Sequence, residues 1–576
     1  MSDTISLGRY LFERLHQEPI GLQSIFGVPG DFNLTLLDKI SEVENLKWRG
    51  CSNELNAAYA TDGYSRVRGN ASANGLGFGA LVTTYGVGEL SAINGVAGSY
   101  AEHVGLLHIV GYPSLVAQKK QLLLHHTLGE GTYDAFNKMA DNISQADGIL
   151  DHPVSAPDVI DRVIREAYIH QRPGYLGFPS DMVNVQVPKS RLEKPLDLSP
   201  LKNDPKVQAK VLEKILGMIK NSHNPVIIVD VCCGRYNVTK EAAALIEATQ
   251  FKYATAPMAK GTKHIDENGK LFTGIYVGSL SYEATKKAVE ESDLVISLGF
   301  LPSDFNTGAF SYCLSENFIE LHSDHTIIGD SFYNHLAMKE LLTALVQSPE
   351  LKDALAHHDT NDHFKNEYTI EPMDKSGRIT QKWLWNRLSV FLKPEDIVIT
   401  ESGTASFGII STRFPKDVFG ISQILWGSIG YSVGATLGAA AAAKETNPNR
   451  RVILFVGDGS LQMSVQEIST MVRNDLHPYL FILNNEGYTV EKLIHGPEED
   501  YNQIQLWDHQ LLLPAFGAKQ YESLKVGEAA ELKNLFNDDK FNKNDKIRLI
   551  ELLLDSKDAP QNLVEQAKLA SKVNSA

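Results

Sequence analysis

Residues 450–496 read RRVILFVGDGSLQMSVQEISTMVRNDLHPYLFILNNEGYTVEKLIHG, and this stretch decides the fold. After Arg451, the five apolar residues from Val452 to Val456 form a run of the length of a buried parallel strand. Gly457-Asp458-Gly459 ends it abruptly. Ser460 is placed to cap a helix, and Val465, Ile468, Met471 and Val472 recur at helical spacing. His477-Pro478 stops that helix, and Tyr479 to Leu483 is a second apolar strand ending on Asn484-Asn485-Glu486-Gly487. Strand, helix and strand make a right-handed βαβ unit. Asp458 and Asn485 then lie at the carboxyl ends of two parallel strands, where open α/β sheets bind ligands.

Those positions suit a hard cation holding a diphosphate. Asp458 offers a charged oxygen, Asn485 an amide oxygen and Gly487 a carbonyl. So few protein ligands leave coordination positions for phosphate oxygens, as Mg²⁺ prefers. The glycines admit a close backbone approach, and the helix after Gly459 points its positive end at the anion. A lone GDG is more often an ordinary α/β turn. A GDG after one strand and an NN after the next strand of the same unit is far more specific.

Working outward, Ile25 to Val28 reads as a strand running into Pro29-Gly30-Asp31, with a helix from Phe32 to Ile40. Lys47 to Cys51 is a strand, and Asn53-Glu54 opens an alanine-rich helix through Tyr64. Ala80 to Thr84 and Leu106 to Val110 are further strands, and strands alternating with helices imply a parallel sheet. Residues 70–79, NASANGLGFG, read as a surface loop. The Asn70-Ala71-Ser72 sequon is a chance match if the chain is never secreted. Residues 189–204, with prolines at or beside their ends, read as a linker. A second α/β unit follows, with strands at 225–230, 294–298 and 318–322. Its Gly299 lacks a full GxGxxG pattern. Residues 357–376 are polar and read as a second linker, and the third unit begins near Ile379. The expected domains are residues 1–188, 189–356 and 357–576. The first and third are candidates for a shared topology.

The 576 residues are too many for one core, so two to four domains are expected. The composition is ordinarily globular, 43% hydrophobic and 22% charged. A net charge of −16 argues against a nucleic-acid partner. No apolar run reaches membrane-spanning length, and the first residues lack a signal-peptide pattern. Four cysteines, Cys51, Cys232, Cys233 and Cys313, are too few and too irregular for a disulfide framework or zinc site. A reducing cytoplasm is the expectation.

With the GDG…NN unit in view, further segments fall into a pattern. They are FGVPGDFN (26–33), NELNAAYATDGYSR (53–66), YGVGELSAINGVAGSYAEHV (85–104), QLLLHHTLG (121–129) and GISQILWGSIGYSVGATLGAA (420–440). Together they resemble the fungal, yeast-type pyruvate decarboxylases, a family of thiamine diphosphate-dependent 2-oxo acid decarboxylases. The resemblance extends over nearly the whole chain. It implies three doubly wound parallel-sheet α/β domains, with thiamine diphosphate and Mg²⁺ between the first domain of one subunit and the third of another. The expected assembly is therefore a homodimer with shared active sites, built into a homotetramer. The implied activity is nonoxidative decarboxylation of a small-molecule 2-oxo acid, pyruvate. Larger 2-oxo acids (phenylpyruvate, indolepyruvate, branched-chain acids) and a cofactor-sensing regulatory protein are the alternatives.

The resemblance also assigns residues. Glu54 matches the glutamate that hydrogen-bonds the aminopyrimidine, a role that needs a carboxyl pKa raised by a dry site. Gly427, Ser428 and Ile429, in WGSIG, match positions that hold the aminopyrimidine, and the stiff branched side chain of Ile429 would keep it bent. Thr404, Asp458, Gly459, Ser460, Asn485, Gly487 and Tyr488 complete the cofactor set, with Asp458, Asn485 and Gly487 on the metal. Asp31, His125, His126 and Glu491 match the proton-handling group. Of these, Asp31, His126 and Glu491, with Thr404, would meet substrate. Tyr168 and Arg235 match positions for a regulatory substrate, with Cys232 nearby. A buried cysteine pair explains Cys232-Cys233 equally well. The family pattern is broken in a few places. Residues 70–79 are an insertion, Glu486 interrupts NNDG, Ser406 stands where alanine is usual, and Val490 replaces isoleucine. Ser406 and Val490 are the positions expected to widen or polarise the substrate pocket.

Overall fold

In the computed structural model, which describes residues 3–71, 75–358, 364 and 368–575, three sheets organise the chain. The first sheet orders its strands Lys47–Gly50, Ser24–Gly27, Gly79–Thr84, Leu106–Tyr112, Pro173–Pro179 and Ala146–Ile149. The third orders Phe419–Ile421, Ile397–Thr400, Val452–Gly457, Tyr479–Asn484, Ile547–Leu553 and Tyr521–Val526. Every pairing in both is parallel. Numbered along the chain, both sheets run second, first, third, fourth, sixth, fifth, so the expected shared topology holds. Each has its switch point between its first and third strands, and that is where a crevice opens.

The central sheet runs Phe272–Ile275, Lys252–Thr255, Pro225–Val229, Leu294–Leu298 and Phe318–Leu321 in parallel. Numbered along the chain these run third, second, first, fourth, fifth, the doubly wound order expected, and His325–Ile328 and Ser331–Asn334 extend the sheet antiparallel at one edge. Short turns at 322–324 and 329–330 permit this, since only parallel neighbours need a crossover.

The first and third domains share one apolar cluster, centred on the helices Glu54–Ala71 and Tyr431–Thr446. Small residues let the two backbones touch. A Cβ on Gly63 would strike the Ala435 carbonyl, one on Gly438 the Ala60 carbonyl, and one on Gly434 the Tyr59 side chain at 2.7 Å. Polar groups are buried in the same seam. Asp62 receives Arg66 at 2.6 Å, Tyr431 Oη at 2.5 Å and Ser99 Oγ at 2.8 Å. Glu102 accepts the backbone N–H groups of Leu425 and Trp426 at 2.7 and 3.3 Å, which ties the loop before Tyr431 to the first domain.

Several local expectations need correction. The helix after Gly459 is two helices, Asp458–Gln462 and Glu467–Arg473. Ser460 is not its cap: the helix already begins at Asp458, and the Ser460 hydroxyl accepts from Gly430 N at 3.2 Å. The helix expected at 32–40 spans only Leu34–Asp38 and follows Asn33, while Asp31 stays outside it. The alanine-rich helix runs on to Ala71, past Tyr64. Residues 70 and 71 are thus helical, and 75–78 are packed rather than a surface loop. Leu76 N donates to Tyr168 Oη at 2.8 Å, Gly77 O accepts from Gln171 at 3.0 Å, and Gly75 O accepts from Asn237 at 3.3 Å. The rest of that insertion, 72–74, lies outside the described residues, as does Ser72 of the sequon.

Candidate active site

The third domain places its site at the switch point. Strand Ile397–Thr400 delivers Glu401 and strand Val452–Gly457 delivers Asp458 to the two sides of one crevice. The crevice is lined along 401–404, by Ile429, along 457–460, and by Asn485 and residues 487–491. Asp458 is 1% exposed, and burial raises its carboxyl above the ordinary range. It accepts Gly459 N at 2.8 Å and Gly487 N at 3.2 Å. Gly487 has φ +118°, a conformation that favours glycine, and it turns the loop back toward Asp458.

The donor set fits a cation. The Asn485 amide oxygen lies 3.1 Å from Asp458 Oδ1 and 3.3 Å from the Gly487 carbonyl, while its nitrogen donates to Thr489 Oγ1 at 2.8 Å. Three oxygens converging without a proton between them repel one another. Turning the amide over would relieve this by two hydrogen bonds, and a cation at the centre would relieve it as well. Adjacent ligands of octahedral Mg²⁺ at 2.0–2.1 Å stand about 3 Å apart, which matches the observed spacing. Carboxylate, amide and carbonyl oxygens are donors that Mg²⁺ takes, so Asp458, Asn485 and Gly487 are the residues that would hold it.

Glu401 belongs to this crevice, and sequence reasoning missed it. It is fully enclosed and its carboxyl is pushed up to about 7, chiefly by burial and further by Asp458. It accepts from Gly457 N, Ala405 N and Thr404 Oγ1, so it joins the turns after the two strands. An acid just after an apolar strand and two residues before a glycine was the available signal. Of the residues assigned from the family pattern, Thr404, Ile429, Asp458, Gly459, Ser460, Asn485, Gly487, Tyr488 and Glu491 all line the crevice. Gly427 and Ser428 do not. Ser428 Oγ bonds Tyr59 Oη at 2.6 Å, across the seam to the first domain. Ser406 also turns away, donating to Gly403 O at 2.9 Å, whereas Val490 lines the crevice.

The first domain gathers a second group at its own switch point. His125 Nε2 lies 2.8 Å from Asp31 Oδ2, and the His125 and His126 rings meet at 4.6 Å. Phe32 stacks on His125 at 5.0 Å. Thr84 and two glycines link this group to Glu54. A Cβ on Gly88 would meet Glu54 Oε1 and Thr84 Cγ2, each at 3.1 Å, and one on Gly30 would press on Thr84 at 2.5 Å. Glu54 opens its helix and is half-buried, and desolvation raises its carboxyl, as its assigned role requires. None of Asp31, Glu54, His125 or His126 lines the third-domain crevice of the same chain.

The proposed regulatory residues lie elsewhere, between the first and central domains. Tyr168 Oη is engaged by Leu76 N, and Arg235 Nε donates to Glu102 O at 3.1 Å. Cys232 is on the short helix Val231–Arg235. It is fully buried, and burial pushes its thiol well above the usual range. Those are the surroundings of an inert structural thiol.

Comparison with known proteins agrees with this geometry. Three family descriptions match in order: the thiamine pyrophosphate enzyme N-terminal TPP binding domain over residues 5–137, the central domain over 212–347 and the C-terminal TPP binding domain over 402–552. Pyruvate decarboxylase isozyme 3 of Saccharomyces cerevisiae is 52% identical over 571 residues, 99% of each chain. The pyruvate decarboxylases of Kluyveromyces marxianus and Candida albicans are each 52% identical, over 571 and 573 residues and again 99% of both chains. Three matched domains and end-to-end similarity lead to one conclusion: the chain belongs to the thiamine pyrophosphate enzymes, in the yeast pyruvate decarboxylase family.

Proposed function

We propose that this chain converts pyruvate and a proton to acetaldehyde and CO₂, using thiamine diphosphate anchored by Mg²⁺. The bound cofactor supplies the sink for the electrons left behind as CO₂ departs. Asp458, Asn485 and Gly487 hold the cation. Glu54 shares a proton with the aminopyrimidine, and Asp31, His125, His126 and Glu491 deliver the proton that the product aldehyde requires.

The observation that carries this reading is the split site. The oxygen-lined crevice is on the third domain, the raised glutamate with its acid–imidazole group is on the first, and they do not meet within one chain. Exposed apolar side chains flank both, including Leu122, Leu123 and Leu128 on the first domain and Trp426 and Met463 on the third. Large apolar side chains left exposed beside these groups are what an association face would cover. We therefore take the active unit to be a homodimer, assembled further into a homotetramer, working in the cytoplasm. Among the described residues no helix is long and apolar enough to cross a membrane.

The direct test follows aldehyde formation from pyruvate, 2-oxobutanoate and phenylpyruvate, with and without cofactor and Mg²⁺. Val490 lines the crevice and is one methylene smaller than isoleucine, a difference worth roughly 10–200-fold between substrates. That admits a slightly longer chain but no aromatic ring. The expected order in kcat/KM is pyruvate, then 2-oxobutanoate, with phenylpyruvate far behind. Val490→Ile should reduce turnover of 2-oxobutanoate selectively. A chain that prefers phenylpyruvate is an aromatic 2-oxo acid decarboxylase instead, and one that binds cofactor without releasing any aldehyde is a sensor.

A further inference from the structure

The hairpin at the edge of the central sheet carries a second convergence of ligating side chains. Strands Phe318–Leu321 and His325–Ile328 are joined by a tight turn in which His322 N donates to His325 O at 2.9 Å. The turn brings three side chains to one point. His325 Nδ1 lies 2.8 Å from Asp324 Oδ1, and His322 Nδ1 lies 3.5 Å from that same oxygen. All three ligating atoms fall within 4.8 Å of one another. The two imidazoles stack with centroids 4.9 Å apart, 12° from parallel.

This spacing matches a small tetrahedral ion. With metal–ligand bonds of 2.0–2.2 Å, ligand atoms around Zn²⁺ stand about 3.4 Å apart, between the two distances seen here. The surroundings match too. His325 Nε2 lies 3.5 Å from Glu320 Oε1, the arrangement in which a carboxylate behind a ligating imidazole orients it and raises its basicity. His322 lies against first-domain His103 and Tyr236, with ring centroids at 6.0 and 6.2 Å, and its Nδ1 is met at 3.0 Å by the hydroxyl of Ser323, a rotor that turns aside when that nitrogen binds an ion. The side chains of His322 and His325 are 8% and 21% exposed while that of Asp324 is 67% exposed, so two held imidazoles face one solvent-open arm. An ion pair between His325 and Asp324 explains one imidazole. It does not explain why the second is stacked on the first and turned to the same carboxylate.

We propose that His322, Asp324 and His325 form a binding site for a divalent transition ion of the zinc type, separate from the oxygen-lined Mg²⁺ position on the third domain. Two imidazole nitrogens and one carboxylate favour Zn²⁺, Cu²⁺ or Ni²⁺ over Mg²⁺, which takes oxygens. Three protein ligands leave a fourth position open. The site braces the hairpin turn that packs on His103, so an occupied site would stiffen the contact between the central and first domains.

The test uses the holoenzyme with thiamine diphosphate and Mg²⁺ in large excess, titrated with Zn²⁺ by calorimetry and with Co²⁺ by the visible band of four-coordinate cobalt. One equivalent per chain is expected. Asp324→Asn, at an exposed position that does not threaten folding, should weaken binding at least about tenfold and abolish the band. Glu320→Gln should weaken it by about 10–100-fold without removing a ligand. The Asp31, His125 and His126 atoms are also close enough to share an ion, so His125→Gln serves as the control and should leave this binding unchanged. Wild-type Zn²⁺ affinity in Asp324→Asn overturns the proposal, as does loss of the cobalt band in His125→Gln alone.

Discussion

At the scale of a residue, the role proposed for Glu54 rests on its surroundings. A carboxyl at a helix start ordinarily ionises readily, because the first-turn N–H groups favour its charge. Here desolvation outweighs that and raises its pKa. Glu54→Gln keeps the shape but removes the shared proton, so cofactor should bind with near-normal affinity while turnover falls by about 10²–10⁴, the range for positioned acid–base catalysis. Calorimetry alongside steady-state rates would check both halves, and a turnover within tenfold of wild type would remove Glu54 from this role. Asp458 is legible in the sequence from the GDG after one strand and the NN after the next, whereas Glu54 is legible only through the family resemblance of its NEL segment, since an acid at a helix start is by itself an ordinary feature. Glu401 was not singled out, since its importance lies in bonds to Gly457 and Ala405 that only the folded sheet creates. Ser406 shows the reverse. Its hydroxyl looked like a pocket group, yet the nearest partner is its own turn, at Gly403 O.

At the scale of elements, the helices Glu54–Ala71 and Tyr431–Thr446 set where both half-sites stand. One begins at Glu54, and the other follows Ile429 and Gly430. Their contact is made by backbone against backbone, so added bulk cannot be absorbed by a flexible side chain. Gly438→Ala would drive a methyl into the Ala60 carbonyl, and overpacking of this kind costs about 1–3 kcal/mol. We expect a lower thermal midpoint together with weaker cofactor binding, measured by calorimetric melting and titration. A wild-type midpoint would mean that the seam is softer than its geometry indicates. Strand positions and the βαβ order were readable because apolar runs and turn residues are local signals. The break between Gln462 and Glu467 was not. Residues 463–466 contain no proline or glycine, and the helix is interrupted by distant groups: Ser464 Oγ donates to Gly430 O at 2.6 Å, and Glu467 accepts Ser52 N at 2.8 Å and Asn56 Nδ2 at 3.2 Å. The packed residues 75–78 were misread for the same reason, because their partners Tyr168, Gln171 and Asn237 are about ninety residues or more away along the chain.

At the scale of the whole molecule, a site divided between unlike domains makes a sharp statement about assembly. If one chain supplies Glu54 and its partner supplies Asp458, the two functions separate genetically. Asp458→Ala removes the one charged member of the Asp458, Asn485 and Gly487 set, so metal-supported cofactor binding should be lost while the fold persists. Glu54→Gln retains binding and loses activation. Alone, each homodimer should be nearly inactive. In a mixed dimer, however, one of the two sites combines the intact Glu54 of the first variant with the intact Asp458 of the second, and the other site collects both defects. Random pairing makes half of the dimers mixed, so equal co-expression should recover about a quarter of wild-type activity from two inactive chains. The recovered activity should show the wild-type KM for pyruvate, and cofactor should occupy about half of the sites, of which half are chemically complete. Mixtures that stay as inactive as either parent, under conditions where mass spectrometry confirms mixed dimers, would place Glu54 and Asp458 in the same chain's site and remove the argument for a shared one.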